Sequence, residues 1–152
     1  MATKVADRVL LDTNILLAAT DEGRAEHGRA LIALNEWPAA GTALYTSGQL
    51  LREYFCVATR AVRSNGLGLA QADAVANVKV LRARLRFLDE TDKVADRLVE
   101  LLSGPACEGK QVHDANVVAT AIVHGIGTIV TMNHGDFVRF GNVVSVIDLL
   151  KT

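Results

Sequence analysis

Short apolar runs and helical patterns alternate along the chain. Val9-Leu10-Leu11 is an uninterrupted apolar run between Arg8 and Asp12, which predicts a buried parallel strand ending at Asp12. Apolar positions then recur at helical spacing over 15–19 and 24–37, with Pro38 stopping the second helix. A second strand is predicted over 43–46. Ser47 offers a helix cap, and 49–62 carries a strong helical pattern that Asn65-Gly66 breaks. A helix over 71–84 is followed by a strand over 85–88 with its end at Asp89. The next helix, 91–102, is capped by Thr91 and ended by Gly104-Pro105. Residues 107–111 read as a polar loop, 112–124 as a helix stopping at Gly125, and 128–132 and 143–147 as β-branched strands. Such alternation predicts an α/β protein, a parallel sheet of four or five strands covered by helices on both faces.

The chain of 152 residues, half of them hydrophobic, argues for one domain with a core that needs no staples. Cys56 and Cys107 are too few and too far apart for a disulfide scaffold or a zinc ribbon, which points to a reducing compartment. No apolar run approaches the roughly 20 residues of a membrane span, and the first residues show no signal-type apolar core. A cytoplasmic protein with no membrane partner is expected. The formal net charge is −1, from 16 basic and 17 acidic residues. Binding to duplex DNA through phosphate contacts alone calls for a basic excess. Any contact with nucleic acid must therefore run through a local patch or through metal ions.

Ligands of open parallel sheets bind beyond the carboxyl ends of the strands. Asp12 directly follows the first strand, and His134 and Asp136 follow the fourth. Glu53 and Asp114 lie on helices that can pack over the same edge. Each admits a bland reading. Asp12 is a good N-cap; Glu53 sits at the border of the face Leu50, Tyr54, Val57 and Ala61; Asp136 lies in a loop-forming stretch. Asp114 is more telling, because it shares a helical face with Val117, Val118 and Ala121. A carboxylate in an apolar stripe is costly unless paired, hydrogen-bonded or metal-bound.

The four acids come from four separate elements. Two unit charges about 5 Å apart at an effective dielectric near 20 repel by roughly 3 kcal/mol, so such a set persists best around a divalent cation. Oxygen-only ligands select hard ions such as Mg²⁺ or Mn²⁺, and acidic sites of this kind hydrolyse phosphodiesters. Arg52, Arg60 and Arg63 share the Glu53 segment and Arg82, Arg84 and Arg86 crowd the end of the next helix. Either these are solvated faces, or they rim the acidic centre and grip phosphates. Other chemistries are poorly supported. Gly66-Leu67-Gly68 lacks the lysine of a phosphate loop, and no H-E-x-x-H occurs. An aspartyl-nucleophile phosphotransferase needs a second Asp two residues after the first, where Asn14 stands.

Four stretches together resemble a PIN-domain ribonuclease of the VapC-like toxin branch. They are Val9-Leu10-Leu11-Asp12-Thr13-Asn14-Ile15-Leu16, Gln49-Leu50-Leu51-Arg52-Glu53-Tyr54 with Val57 and Arg60, Val112-His113-Asp114-Ala115-Asn116-Val117-Val118-Ala119, and Thr131-Met132-Asn133-His134-Gly135-Asp136-Phe137. The resemblance covers essentially the whole chain, 1–152 as a single PIN domain. It implies a three-layer α/β/α sandwich and Mg²⁺- or Mn²⁺-dependent cleavage of single-stranded RNA. Asp12, Glu53 and Asp114 would be the metal-binding catalytic acids. The fourth role falls to Asp136 or to the position of Asn133. Thr13, Asn14, Thr131 and Asn133 would support the site, and of the basic residues noted above Arg52, Arg60 and Arg63 are the candidate RNA contacts. The resemblance further implies a homodimer and a small antitoxin whose tail blocks the acidic cleft. The alternative is a PIN-like module that binds RNA or protein without catalysis.

Overall fold

The computed structural model of the protein describes residues 3–104 and 106–152. Met1, Ala2 and Pro105 lie outside the described residues, and with Pro105 the proline half of the stop expected after 91–102. Five strands form one sheet: β1 (Arg8–Leu11), β2 (Ala43–Ser47), β3 (Arg86–Leu88), β4 (Thr128–Thr131) and β5 (Ser145–Asp148). The order is β3-β2-β1-β4-β5, and every neighbouring pair is parallel. Seven helices connect or flank them: α1 (Thr13–Ala19), α2 (His27–Ala39), α3 (Gly48–Thr59), α4 (Gln71–Arg84), α5 (Asp92–Leu102), α6 (Gln111–Val123) and the short α7 (His134–Phe137). The three-layer α/β/α sandwich expected from the sequence is the observed architecture.

Strand alternation divides the core in two. Val9 and Leu11 of β1 and Val130 of β4 pack with α1, α2, α3 and α4 on one side. Leu10 and Ile129, from the same two strands, pack with α5 and α6, Phe137 and Phe140 on the other. Side chains of a strand point alternately to opposite faces, so a strand buried on both sides reads as a continuous apolar run. This explains why Val9-Leu10-Leu11 carries no alternation. Strand order reverses at β1: the chain moves outward through β2 and β3, then returns to β4 on the other side. The crevice at such a reversal, outside the carboxyl ends of the strands, is where open α/β sheets bind ligands.

Three departures from the sequence reading matter for the site. Helix α2 continues through Pro38 to Ala39. A proline leaves the carbonyl four residues earlier without its helical partner, and here Arg84 Nη2 donates to Leu34 O at 3.1 Å. Helix α3 stops at Thr59, and Arg60 is extended. Ala61 is therefore exposed rather than part of the buried face, which is Leu50, Leu51, Tyr54 and Ala58. The chain folds back on itself there. Asn65 takes a left-handed φ of 61°, and a Cβ on Gly66 would stand 2.1 Å from Arg60 O, so this turn needs its glycine. Finally, 133–140 is not a loop. Asn133 precedes α7, a 3₁₀ turn at Val138–Phe140 follows, and Phe137 and Phe140 are each 1% exposed. The Asn, His and Gly of this stretch favour turns locally, but burial of two aromatics three residues apart wins.

Among the described residues no helix is long and apolar enough to cross a membrane. Cys56 and Cys107 are both free thiols.

Candidate active site

Asp12 directly follows β1 and is the N-cap of α1. Its backbone N–H donates to Val130 O at 2.9 Å, which extends the β1–β4 pairing by one residue and sets Asp12 beside Thr131. Its Oδ1 accepts from Thr13 N at 2.8 Å. Its Oδ2 accepts from Thr131 Oγ1 at 2.7 Å and from Asn14 Nδ2 at 3.2 Å. Thr131 Oγ1, fully buried, in turn accepts from Asn14 Nδ2 at 3.1 Å and from Asn133 N at 2.9 Å. One donor and two acceptor positions exhaust a hydroxyl, so Thr131 is saturated and its proton is committed to Asp12. Asn14 Oδ1 closes the ring by accepting from Met132 N at 3.2 Å. The three supporting residues Asn14, Thr131 and Asn133 therefore act as one network that fixes the first carboxylate.

Glu53 approaches from α3, on the turn above the buried Leu50. Thr13 Oγ1, itself 7% exposed, shares its proton between Leu50 O at 3.2 Å and Glu53 Oε2 at 3.1 Å. Gln49 Nε2 donates to Glu53 Oε1 at 2.8 Å. Asp114 lies in the first turn of α6, half-buried, with Ala115, Val117 and Val118 buried beyond it. Asp136 stands exposed on α7.

The electrostatics join the four. The Asp12 carboxyl is pushed up to about 6, first by burial and then, against its hydrogen bonds from Thr131 and Thr13, by the charges of Glu53 and Asp136. The Asp114 carboxyl is pushed up to about 7. Burial is again the largest cause, followed by the charges of Asp136, Asp12 and Glu53, while Arg139 pulls the other way. Asp12 thus lies within the field of Glu53 and Asp136, and Asp114 within that of the other three, although the four arrive from the end of β1, α3, α6 and α7. Asp136 adds its charge to this set. Asn133 lines a neighbouring cleft. The donors are all oxygens and, among the described residues, none of the four carboxylates is in a salt bridge, which fits a hard divalent cation. The side chains are not closed on a point, however. Among the described residues no three His, Cys, Asp or Glu form a group able to hold a metal ion as they stand.

Two clefts border the acids. One, of about 400 Å³, runs past Asn14 with Arg24, Arg60, Asn65 and Asn133 on its walls. The other, of about 280 Å³, is walled by Gln49, Arg52, Glu53, Arg60 and His113. Arg60 lies on both, because the end of α3 at Thr59 releases it into the ridge between them. Arg63, on the exposed turn after it, lines neither. The second cluster of arginines is occupied elsewhere. Arg82 stacks on Phe87 with 4.5 Å to the ring centre, Arg86 lies 5.9 Å from that of Tyr45, and Arg84 serves Leu34 O. These three do not rim the acids.

Gln49, Asn116, Glu90 and Arg139 also belong to the surroundings of the site, and the sequence reading gave them no role. A signal existed for Gln49, which precedes Glu53 by four residues on the same helix face. Asn116 follows Asp114 within one turn. Nothing local marks Glu90 or Arg139, which reach the site only through the fold.

Similar folds occur in solved toxin–antitoxin proteins. VapBC2 from Rickettsia felis, bound to a DNA fragment of its promoter, matches with a TM-score of 0.63 and 18% identity over 91% of this chain and 96% of that one. A toxin–antitoxin complex from Klebsiella pneumoniae gives 0.63 and 23% identity, over 90% and 96%. VapC20 from Mycobacterium tuberculosis, a toxin that cleaves the sarcin–ricin loop, gives 0.60 and 23%, over 80% and 86%. Comparison with curated proteins returns no match. Residues 9–142, which contain all four acids and both threonines of the site, match the PIN domain, and the chain belongs to that family.

Proposed function

We propose that this protein is a divalent-cation-dependent endoribonuclease that cleaves single-stranded RNA, and that it acts in the cytoplasm as the VapC-type toxin of a toxin–antitoxin pair. The observation that carries the reading is the convergence of Asp12, Glu53, Asp114 and Asp136 at the sheet reversal, where burial first and the charges of neighbouring acids second raise Asp12 to about 6 and Asp114 to about 7. Asp12, Glu53, Asp114 and Asp136 are the residues that would hold Mg²⁺ or Mn²⁺. Such an ion supplies charge to offset a developing phosphoryl oxyanion and makes water nucleophilic at neutral pH.

The chain's own part is orientation. Thr131, Asn14 and the Thr13 N–H fix the Asp12 carboxylate. Thr13 and Gln49 hold the two Glu53 oxygens. Arg60, which lines both clefts, would meet the phosphates of a strand crossing the site, with Arg52 beside it and Arg63 further out. A single strand suits this rim, because sequence-specific RNA contacts target unpaired bases and a rim of a few arginines cannot span a duplex. The solved relatives support the partner. Two of them contain a toxin with its antitoxin and one is a toxin; the partner proposed for this chain is a small antitoxin that would cover the acidic cleft of a homodimer.

One observation favours the alternative of a binding module without catalysis: no three acidic side chains close on a point. The test is cleavage of a single-stranded RNA by purified wild type, Asp12→Asn and Asp114→Asn, with Mn²⁺ and with chelator. The proposal expects cleavage by wild type with Mn²⁺ only. Undiminished cleavage by Asp114→Asn defeats the assignment, and an inert wild type at every cation concentration leaves the binding module standing.

A further inference from the structure

Gln49 is a polar side chain only 6% exposed, at the start of α3. Both of its amide donors and one acceptor position are used. Nε2 donates to Glu53 Oε1 at 2.8 Å and to His113 O at 2.9 Å. Oε1 accepts from Asn116 Nδ2 at 2.6 Å. Asn116 Nδ2 also donates to Glu90 Oε2 at 3.4 Å, and Glu90 Oε1 accepts from the Gln49 backbone N–H at 3.1 Å. The orientation of both amides follows from chemistry. A carboxylate and a backbone carbonyl can only accept, so Gln49 must turn its nitrogen to Glu53 and His113, and Asn116 must turn its nitrogen to Glu90. Gln49, Asn116 and Glu90 thus close a small ring in which Asn116 donates to both of the others, and Glu53 hangs from it through the Gln49 Nε2 donor.

The network also spans a gap that strand pairing does not set. Asp12 and Thr131 are aligned by strand pairing, but Glu53 and Asp114 sit on α3 and α6, which lie in different layers. His113 precedes Asp114, and Gln49 precedes Glu53 by one helical turn. A single amide therefore grips both helices next to their acids.

We propose that Gln49 is a positioning residue for cation binding: it acts through Glu53, fixing the Glu53 carboxylate relative to the first turn of α6. The proposal rests on the cation-binding reading above. Partners that orient a ligand from behind are expected to change metal affinity by about ten- to a hundred-fold. Nothing in this role requires Gln49 to touch RNA or cation.

The experiment is calorimetric titration of the purified full chain with Mn²⁺, in wild type, Gln49→Met, Glu53→Ala and the double variant. Gln49→Met keeps the volume and loses the donor. The expected result is binding weakened about ten-fold or more by Gln49→Met in the wild-type background, and by less than two-fold in the Glu53→Ala background. Equal losses in both backgrounds, or no loss in the first, overturn the proposal, since a merely structural glutamine would act without Glu53. Asn116→Ala provides a second variant should Gln49→Met fold poorly. It frees the Gln49 amide without changing Gln49 and should weaken binding in the same direction. If wild type binds no Mn²⁺, the cation reading fails. The clamp is then judged separately by NMR exchange of the Gln49 side-chain amide protons in the metal-free protein: slow exchange sustains the clamp on Glu53, and free exchange removes it.

Discussion

Neutralising Asp114 should make the cation-free protein more stable while destroying its chemistry. The carboxyl is raised to about 7 by burial and by the charges of Asp136, Asp12 and Glu53. An unfolded Asp titrates near 4, so the folded state binds a proton more tightly than the unfolded state does. Stability from this group is therefore complete below about pH 4 and is lost as pH rises through about 7. A displacement of this size corresponds to roughly 4 kcal/mol at about 1.4 kcal/mol per pH unit. Asp114 is only half-buried, so solvent screening brings this down to roughly 1–2 kcal/mol. For a chain of this length that is a rise in Tm of about 2–8 °C for Asp114→Asn at pH 8. The assay is thermal unfolding with chelator present, at pH 8 and pH 4. The gain should be present at pH 8 and absent at pH 4, where wild-type Asp114 is already protonated. A variant destabilised at pH 8, or stabilised equally at both pH values, refutes the reasoning.

Other outcomes follow from individual contacts. Thr13→Val removes the proton shared by Leu50 O and Glu53 Oε2; it should cost roughly 1–2 kcal/mol in chemical denaturation, and an unchanged midpoint would show that the hydroxyl holds nothing. Arg60→Ala should raise KM for RNA about ten-fold with kcat nearly unchanged, and flatten the salt dependence of binding by about 0.7 in log–log slope; equal loss in kcat would place Arg60 in the chemistry instead. Gly66→Ala must displace the Arg60 carbonyl that its Cβ would meet, at a cost of roughly 1–3 kcal/mol measured in urea, whereas the open Gly135 position should tolerate alanine.

The elements legible in the sequence were those whose signals are local. The apolar run Val9–Leu11, the Ser47 cap whose side chain accepts from Leu50 N, and the Asn65-Gly66 break all report their own backbone. The layers followed from the alternation of strands and helices. What was not legible depended on distant partners. Pro38 continues its helix because Arg84, almost fifty residues away, takes the freed carbonyl. The 134–140 segment is helical because Phe137 and Phe140 find a core supplied by α6 and β5. The four acids were visible as a set, and Asp114 stood out by its apolar neighbours. Their mutual field needed the fold. Gln49 was in view as part of a motif, but its partners His113 and Asn116 lie more than sixty positions along the chain, and periodicity carries no trace of them.

The most direct test of the centre is a crystal of the wild-type chain grown with Mn²⁺ and measured for anomalous scattering. The account predicts a peak within coordination distance of Asp12, Asp114 and either Glu53 or Asp136, and none in crystals of Asp12→Asn. A wild-type crystal with no peak between these carboxylates, or with manganese bound only elsewhere, would contradict it.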